Sequence, residues 1–207
     1  MAVIKNGMKR GKEGDVIHSS WHGRPYTRRM PETVANPQTE AQQAHRNAFA
    51  EISRLSSAMK EGHKTGLHWY AVRQKLNTHS VFKSLNKNCY GANGIDYPHV
   101  VISRGSVSIE SITSANIGSQ GDIHVTFCGC SQSSENKNDE FYLFVFCPDL
   151  CAGHFAQPVA RSIGRVDAQI PDEWLGHALH LYAFMRNRKG QTSDTIYVGE
   201  YSLPAEW

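Results

Sequence analysis

The spacing of apolar residues changes part-way along the chain. Between residues 39 and 90 they recur mostly at three- and four-residue intervals, which is the pattern of one face of an α-helix. From Asn93-Gly94 onward they alternate with polar residues or form short continuous runs, which is typical of β-strands. The change predicts two domains, residues 1–92 and residues 93–207.

The helical part begins with a capping signal. Thr39 is followed three residues later by Gln42, so the Thr39 hydroxyl can accept from the Gln42 backbone N–H while the Gln42 side chain accepts from that of Thr39. We expect this helix to end at Gly62. Its buried face should consist of Ala41, Ala44, Ala48, Ile52, Leu55 and Met59, broadened by Phe49.

Two shorter helices are predicted after Gly62. One covers residues 67–76, and the other covers residues 80–89 after a cap at Asn77 or Thr78. The apolar residues that the first of these should bury are Leu67, Trp69, Val72 and Leu76.

Strands are predicted at both ends of the chain. Residues 15–21 and 24–30 would form an N-terminal hairpin that turns at His22-Gly23. In the second domain, Ile123, Val125 and Phe127 alternate with polar residues, and residues 141–147 form a continuous apolar run suited to a strand covered on both faces. Residues 178–185 and 195–203 resemble a final hairpin.

The fold class that follows is α+β. We expect an N-terminal hairpin and a short helical element, followed by an antiparallel β-sandwich of fibronectin or immunoglobulin type. The turn signals between the predicted strands, every 8 to 15 residues or so, are typical of such sandwiches.

Several motifs resemble those of an uncharacterised family of proteins of about this length from Bacteroidota, a family of unknown function. That family carries Ser-Ser-Trp-Lys-Gly and Asn-Pro-x-Thr-x-x-Gln motifs, and His22 stands here where the family has Lys. The resemblance implies an architecture and transfers no catalytic residue. It rests on Ser19 to Gly23, Asn36 to Gln42, Val101 to Gly105 and Ser193 to Gly199.

The formal net charge of +3 conceals a division between the two halves. Residues 1–90 contain 15 Lys or Arg and 6 Asp or Glu, a balance of +9, whereas residues 91–207 have a balance of −6. Such a division is compatible with a nucleic-acid-binding arm, with docking of one half on the other, and with head-to-tail association of copies.

The predicted N-terminal hairpin is the candidate binding surface. Aromatic rings can stack on bases, and guanidinium groups neutralise phosphates. The alternative is that the rings cover the core while the arginines extend into solvent. The tentative partner-binding or nucleic-acid-binding residues are Trp21, Arg24, Tyr26, Arg28 and Arg29.

Metal and catalytic chemistry have weaker signals. Six potential zinc ligands fall in two clusters, but neither cluster has Cys-x2-Cys spacing, so we predict no metal or other cofactor and keep zinc as an alternative. The sequence lacks Gly-x-Ser-x-Gly, His-Glu-x-x-His and phosphate-loop motifs, and we expect no enzyme. The zinc candidates are His124, Cys128, Cys130, Cys147, Cys151 and His154.

Function and location are expectations at this point. The N-terminus lacks the apolar run of a secretion signal, no apolar run is long enough to span a membrane, and five cysteines leave one unpaired. We expect a cytoplasmic protein, or one in a virion or assembled particle. The leading hypothesis is a non-enzymatic structural or interaction protein, such as a phage-like or mobile-element assembly component, that binds a protein partner or self-associates. The alternative is a nucleic-acid-binding protein that uses the basic N-terminal half; no small-molecule ligand is identified.

Overall fold

The computed structural model describes residues 3–202 except residues 6, 22, 33–35, 37, 92, 110, 119–120 and 131–134. The chain divides into two compact units, Met1–Gln42 and Gln43–Trp207. The domain boundary predicted between residues 92 and 93 therefore falls inside the second unit. The physical reason is that the helices and the β-strands of that unit share one hydrophobic core.

The described residues of the first unit form four antiparallel strands, each paired with the next. The predicted hairpin is present, with Trp21 opposite Arg24, while His22 at its turn lies outside the described residues. The two strands before it were not predicted, because a single apolar pair and scattered lysines give little period-two signal. The strands are β1 (Val3–Lys5), β2 (Met8–Glu13), β3 (Val16–Trp21) and β4 (Arg24–Arg29).

Four α-helices follow in the part of the chain that the structure describes, where three were predicted. The predicted single helix to Gly62 is interrupted at Met59, whose backbone (φ −91°, ψ 22°) leaves the helical region. Met59 is fully buried at this break and packs in the same hydrophobic cluster as Ile52 and Leu55. The helices are α1 (Glu40–Ala58), α2 (Lys60–Gly66), α3 (His68–Gln74) and α4 (Thr78–Leu85).

The helices bury only part of the faces assigned to them. Ile52 and Leu55 of α1 are buried as predicted, whereas Phe49 is 57% exposed. Of the four residues that the helix predicted over residues 67–76 should bury, Leu67 is fully buried and Trp69 is half-buried. The prediction was wrong for Val72 and Leu76, which are exposed, and Ala71 is buried instead. A helix this short carries too few apolar residues to define its own inward face, so contacts with neighbouring elements decide it.

Ten strands among the described residues complete the second unit, and all their pairings are antiparallel. The larger sheet has the order β10-β9-β13-β14, and β11 also pairs with β9; a second sheet has the order β12-β8-β7, and β5 pairs with β6. The strands are β5 (Tyr90–Gly91), β6 (Gly94–Ile95), β7 (Ile112–Ile117), β8 (Asp122–Phe127), β9 (Glu140–Cys147), β10 (Ala152–Phe155), β11 (Val159–Ala160), β12 (Arg165–Gln169), β13 (Ala178–Arg186) and β14 (Ile196–Ser202).

The central strand β9 is covered on both faces, as its continuous apolar run predicted. Alternate side chains of a strand point to opposite faces. Leu143 and Val145 pack against β8 and β12 of the second sheet, while Phe144 and Phe146 pack against the helices. The second unit is thus layered as helices, larger sheet and smaller sheet, and the protein is of mixed α+β class.

A small hydrogen-bond network ties the end of α2 to the connection between β13 and β14. The backbone oxygen of Gly66 accepts from Ser103 Oγ at 3.1 Å and from Thr192 Oγ1 at 3.0 Å. Thr195 Oγ1 in turn accepts from the Ser103 backbone N–H at 2.7 Å. Ser103 and Thr192 are fully buried, so these bonds satisfy polar groups that have no access to water.

Candidate functional site

The N-terminal sheet gathers cations and aromatic rings on one of its faces. Cross-strand partners point to the same face of a sheet. Trp21 pairs with Arg24, Ser19 with Tyr26, and Ile17 with both Arg28 and Lys12. We call this set the cationic aromatic face: Lys12, Ile17, Ser19, Trp21, Arg24, Tyr26 and Arg28.

The cationic aromatic face is open to solvent. Trp21 is 71% exposed and Tyr26 is 46% exposed, and every residue of β4 is exposed. Among the described residues of the first unit, none is buried. The face carries three cations and no carboxylate, so its chemistry suits a partner that is anionic and offers apolar or aromatic surface.

The opposite face of the same sheet has a different character. Glu13 lies there, with its carboxylate 2.5 Å from Lys9 Nζ and 2.9 Å from His18 Nε2. Hydrogen bonds from Lys9 and then His18 lower the pKa of Glu13 below its usual value. Arg29 pairs with Val16 on this face and lies 3.9 Å from Glu32, so it does not join Arg24 and Arg28 in one surface.

The helix start at Thr39 has the predicted hydrogen bond. Helix α1 begins at Glu40, and the Gln42 backbone N–H donates to Thr39 Oγ1 over 3.4 Å, at the long end for such a bond. The return bond from the Thr39 N–H to the Gln42 side chain stays a prediction.

The structure does not bring the six zinc candidates together. In the described part of the chain, no three His, Cys, Asp or Glu residues are grouped so that they could hold a metal ion. His124 instead lies 2.6 Å from Asp167. Hydrogen bonds from His124 and then Arg165 lower the pKa of Asp167. Of the other candidates, Cys147 is buried between the two sheets, Cys130 is half-buried, and Cys128, Cys151 and His154 are exposed.

Residues 8–199 match a family described as a family of unknown function, DUF6266. The chain belongs to this family. The DUF6266 match covers β2, β3 and β4 of the first unit as well as almost all of the second, so both units are parts of the family's architecture. No curated protein matches the chain at a significant level.

Within the DUF6266 range, sequence reasoning missed a buried polar cluster between α1, α2 and α4. Ser56 Oγ lies 2.8 Å from His79 Nδ1 and 3.4 Å from His63 Nε2. A serine beside a histidine is the contact that nucleophilic catalysis uses, but Ser56 is 1% exposed, so its hydroxyl is out of reach of a substrate. The burial favours a structural role, and nothing in the local sequence spacing announces the cluster.

Among the described residues, no helix has both the length and the apolar character needed to cross a lipid bilayer.

Proposed function

We propose that the chain is a non-enzymatic interaction protein that associates with further copies of itself through its cationic aromatic face. The observation that carries the proposal is the exposure of Trp21 on a sheet with no buried residue among those described. Small sheets need an apolar face that is covered, or a helix packed on them, to be stable in water. Large exposed aromatic side chains therefore mark this face as an interaction surface.

The surface that complements this face is the acidic half of another copy. Residues 91–207 carry a balance of −6, whereas the cationic aromatic face carries only positive charges. Opposite charges on different parts of one chain favour head-to-tail contacts between copies. Exposed carboxylates on the described acidic half include Asp149, Asp172, Glu173 and Glu200.

The second unit would serve as the body of such an assembly component. Its two facing antiparallel sheets support a fibronectin-like or immunoglobulin-like description of the β part, and the loops and edges of such sandwiches are common recognition surfaces. An assembled particle of the phage-like or mobile-element kind would use residues 91–207 of one copy, which carry the balance of −6, as the receptor for the N-terminal sheet of the next.

The experiment is size-exclusion chromatography with light scattering over a range of protein concentrations. At about 50 mM salt we expect the measured mass of the wild type to exceed that of a monomer. At about 1 M salt the measured mass should approach that of a monomer, because salt screens exposed charges. The Trp21→Ala, Arg28→Ala double variant should stay monomeric. The matched control is Phe49→Ala with Arg188→Ala, two exposed residues outside the sheet, and it should associate as the wild type does. A wild type that is monomeric at every concentration and at low salt contradicts the proposal.

A second candidate function, binding of single-stranded nucleic acid, is favoured by the same face. Two exposed rings between three cations, with no carboxylate among them, offer stacking surfaces beside phosphate-binding groups. Filter binding at about 50 mM salt, where electrostatic affinity is greatest, tests this candidate. Retention of an oligonucleotide that the Trp21→Ala, Arg28→Ala variant loses would support it. No retention of DNA or RNA by the wild type would rule it out.

A further inference from the structure

A cleft of about 540 Å³ lies in the second unit, and the residues described as lining it all belong to that unit. One wall is formed by Lys64 of α2 with His68 and Trp69 of α3, and the other by Arg186 and Lys189 at the end of β13 and in the loop after it. A volume of this order falls in the range of small-molecule sites, roughly 300 to 1,000 Å³.

The charge of the lining favours an anion. Lys64, Arg186 and Lys189 contribute three positive charges, and Glu61 is the one carboxylate among the residues described as lining the cleft. Within the described part of the chain, the ammonium groups of Lys64 and Lys189 form no ion pair. Like charges in one cleft repel each other, and an anion bound between them removes that repulsion.

The Trp69 ring in the cleft lining contacts a cation that does not itself line the cleft. The guanidinium carbon of Arg73 lies 4.8 Å from the centroid of the Trp69 ring, and Arg73 is not one of the lining residues. This cation–π contact restrains the indole at the edge of the cleft. A restrained indole is a stacking platform for a planar ring and loses little entropy when a ligand binds.

Both walls are built to hold their shape. The loop that carries Lys189 is closed by Asn187, whose Oδ1 accepts from the backbone N–H groups of Lys189 at 3.0 Å and Gln191 at 2.9 Å. The end of α2 is tied to the same loop region by the bond from Thr192 Oγ1 to the Gly66 oxygen. The cationic groups on the two walls therefore face a cleft whose backbone is already ordered.

We propose that this cleft binds a nucleotide, with its base against Trp69 and its phosphates among Lys64, Arg186 and Lys189. Lysine and arginine groups are the usual partners of phosphate oxygens, and an indole stacks on a base of any sequence. The Glu61 carboxylate repels phosphate and can accept from an amino group of the base, which orients the ligand. The nucleotide comes either from solution or from an unpaired position of a single strand. This site is independent of the proposed self-association.

Isothermal titration at about 50 mM salt, where phosphate contacts are strongest, tests the cleft with four probes. These are adenosine diphosphate, inorganic pyrophosphate, adenosine and a short single-stranded oligodeoxyadenylate. The Lys64→Ala, Lys189→Ala variant and the Trp69→Ala variant should each weaken binding about tenfold or more. Trp69→Phe, which keeps a ring, should recover part of the affinity. The control is Lys60→Ala with Lys87→Ala, exposed lysines outside the lining, and it should bind as the wild type does.

The outcomes separate the possibilities. If the protein binds adenosine diphosphate more tightly than pyrophosphate or adenosine, the cleft is a site for free nucleotides. If it binds the oligonucleotide alone, the cleft is a site for a single strand. Both conclusions require that the cleft variants weaken the binding. Equal affinity for pyrophosphate and adenosine diphosphate overturns the role of Trp69 and with it the nucleotide proposal. No binding of any probe at millimolar concentration, or binding that the cleft variants leave unchanged, overturns it as well. The Trp21→Ala, Arg28→Ala variant should bind adenosine diphosphate as the wild type does, so failure of the association proposal is distinguishable from failure of the nucleotide proposal.

Discussion

The Nε2 atom of His63 lies 2.8 Å from the backbone oxygen of Ser56, seven residues earlier in the chain. Because a carbonyl oxygen only accepts, this contact requires the proton on Nε2. His63 is fully buried, its Nδ1 has no hydrogen-bond partner in the described structure, and its ring lies 4.7 Å from that of His79. Desolvation lowers the pKa of His63 from 6.5 to about 4, with His79 adding to the effect and the Ser56 bond opposing it.

The lowered pKa of His63 predicts loss of stability in mild acid. The unfolded chain takes up a proton near pH 6.5, while the folded chain does so only near pH 4. The contribution of neutral His63 is therefore complete above pH 6.5 and is lost as the pH falls toward 4, by at most about 3 kcal/mol. Urea unfolding measured between pH 7.5 and 4.5 should show this decline.

His63→Gln keeps a side-chain N–H donor and removes the titration, so its stability should depend less on pH. The pKa of His180 is also lowered by burial, and a smaller slope should remain. His45→Gln, at an exposed position of α1, is the control and should follow the wild type. An unchanged slope in His63→Gln would show that His63 does not titrate in this range.

The capping bond at Thr39 predicts a modest stability effect. Thr39→Ala leaves the Gln42 N–H without its acceptor and should cost about 1 kcal/mol, which lowers the melting temperature of a protein of this size by roughly 2 to 4 °C. Asn77→Ala offers a comparison at α4, where Asn77 Oδ1 accepts from the Ser80 N–H at 2.7 Å. Unchanged melting together with loss of partner binding in Thr39→Ala would identify residues 36–42 as a recognition loop.

Gly66→Ala should destabilise the second unit. An alanine Cβ at this position would lie 2.4 Å from the backbone oxygen of Ile102, and a backbone atom cannot turn aside as a side chain can. Overpacking costs about 1 to 3 kcal/mol, which exceeds the gain of about 1 kcal/mol or less in helix propensity. Gly91→Ala is the control, since its Cβ would meet no atom within 4 Å, and urea unfolding should separate the two variants.

The five thiols should divide into reactive and protected groups. Burial raises the pKa of Cys89 and Cys147, so both should react with a disulfide reagent at pH 8 only after unfolding. Cys128 and Cys151 are exposed and should react first, with the half-buried Cys130 slower. Counting the thiols that react before and after denaturant checks this. If Cys128 and Cys151 stay protected until a chelator is added, a metal holds them and elemental analysis should find zinc.

Local sequence determined several of the strands and the start of α1, although it predicted neither β1 and β2 nor the division between α1 and α2. The alternation of Ile123, Val125 and Phe127 predicted β8, and the continuous run in residues 141–147 predicted a strand covered on both faces. Alternate residues of a strand point to opposite faces, so the sequence alone could have placed Arg29 on the face opposite to Arg24 and Arg28. These features depend on backbone geometry within a few residues, and residue order encodes that directly.

Tertiary structure alone decided how the elements combine. The helices share a core with Phe144 and Phe146, which places the unit boundary at Gln42 although the periodicity changes near residue 93. The nucleotide-binding cleft that we propose joins Lys64 to Lys189, residues far apart in the chain. Local patterns define a buried face without defining what covers it, because the free energy of burial depends on surfaces brought together only when the whole chain folds.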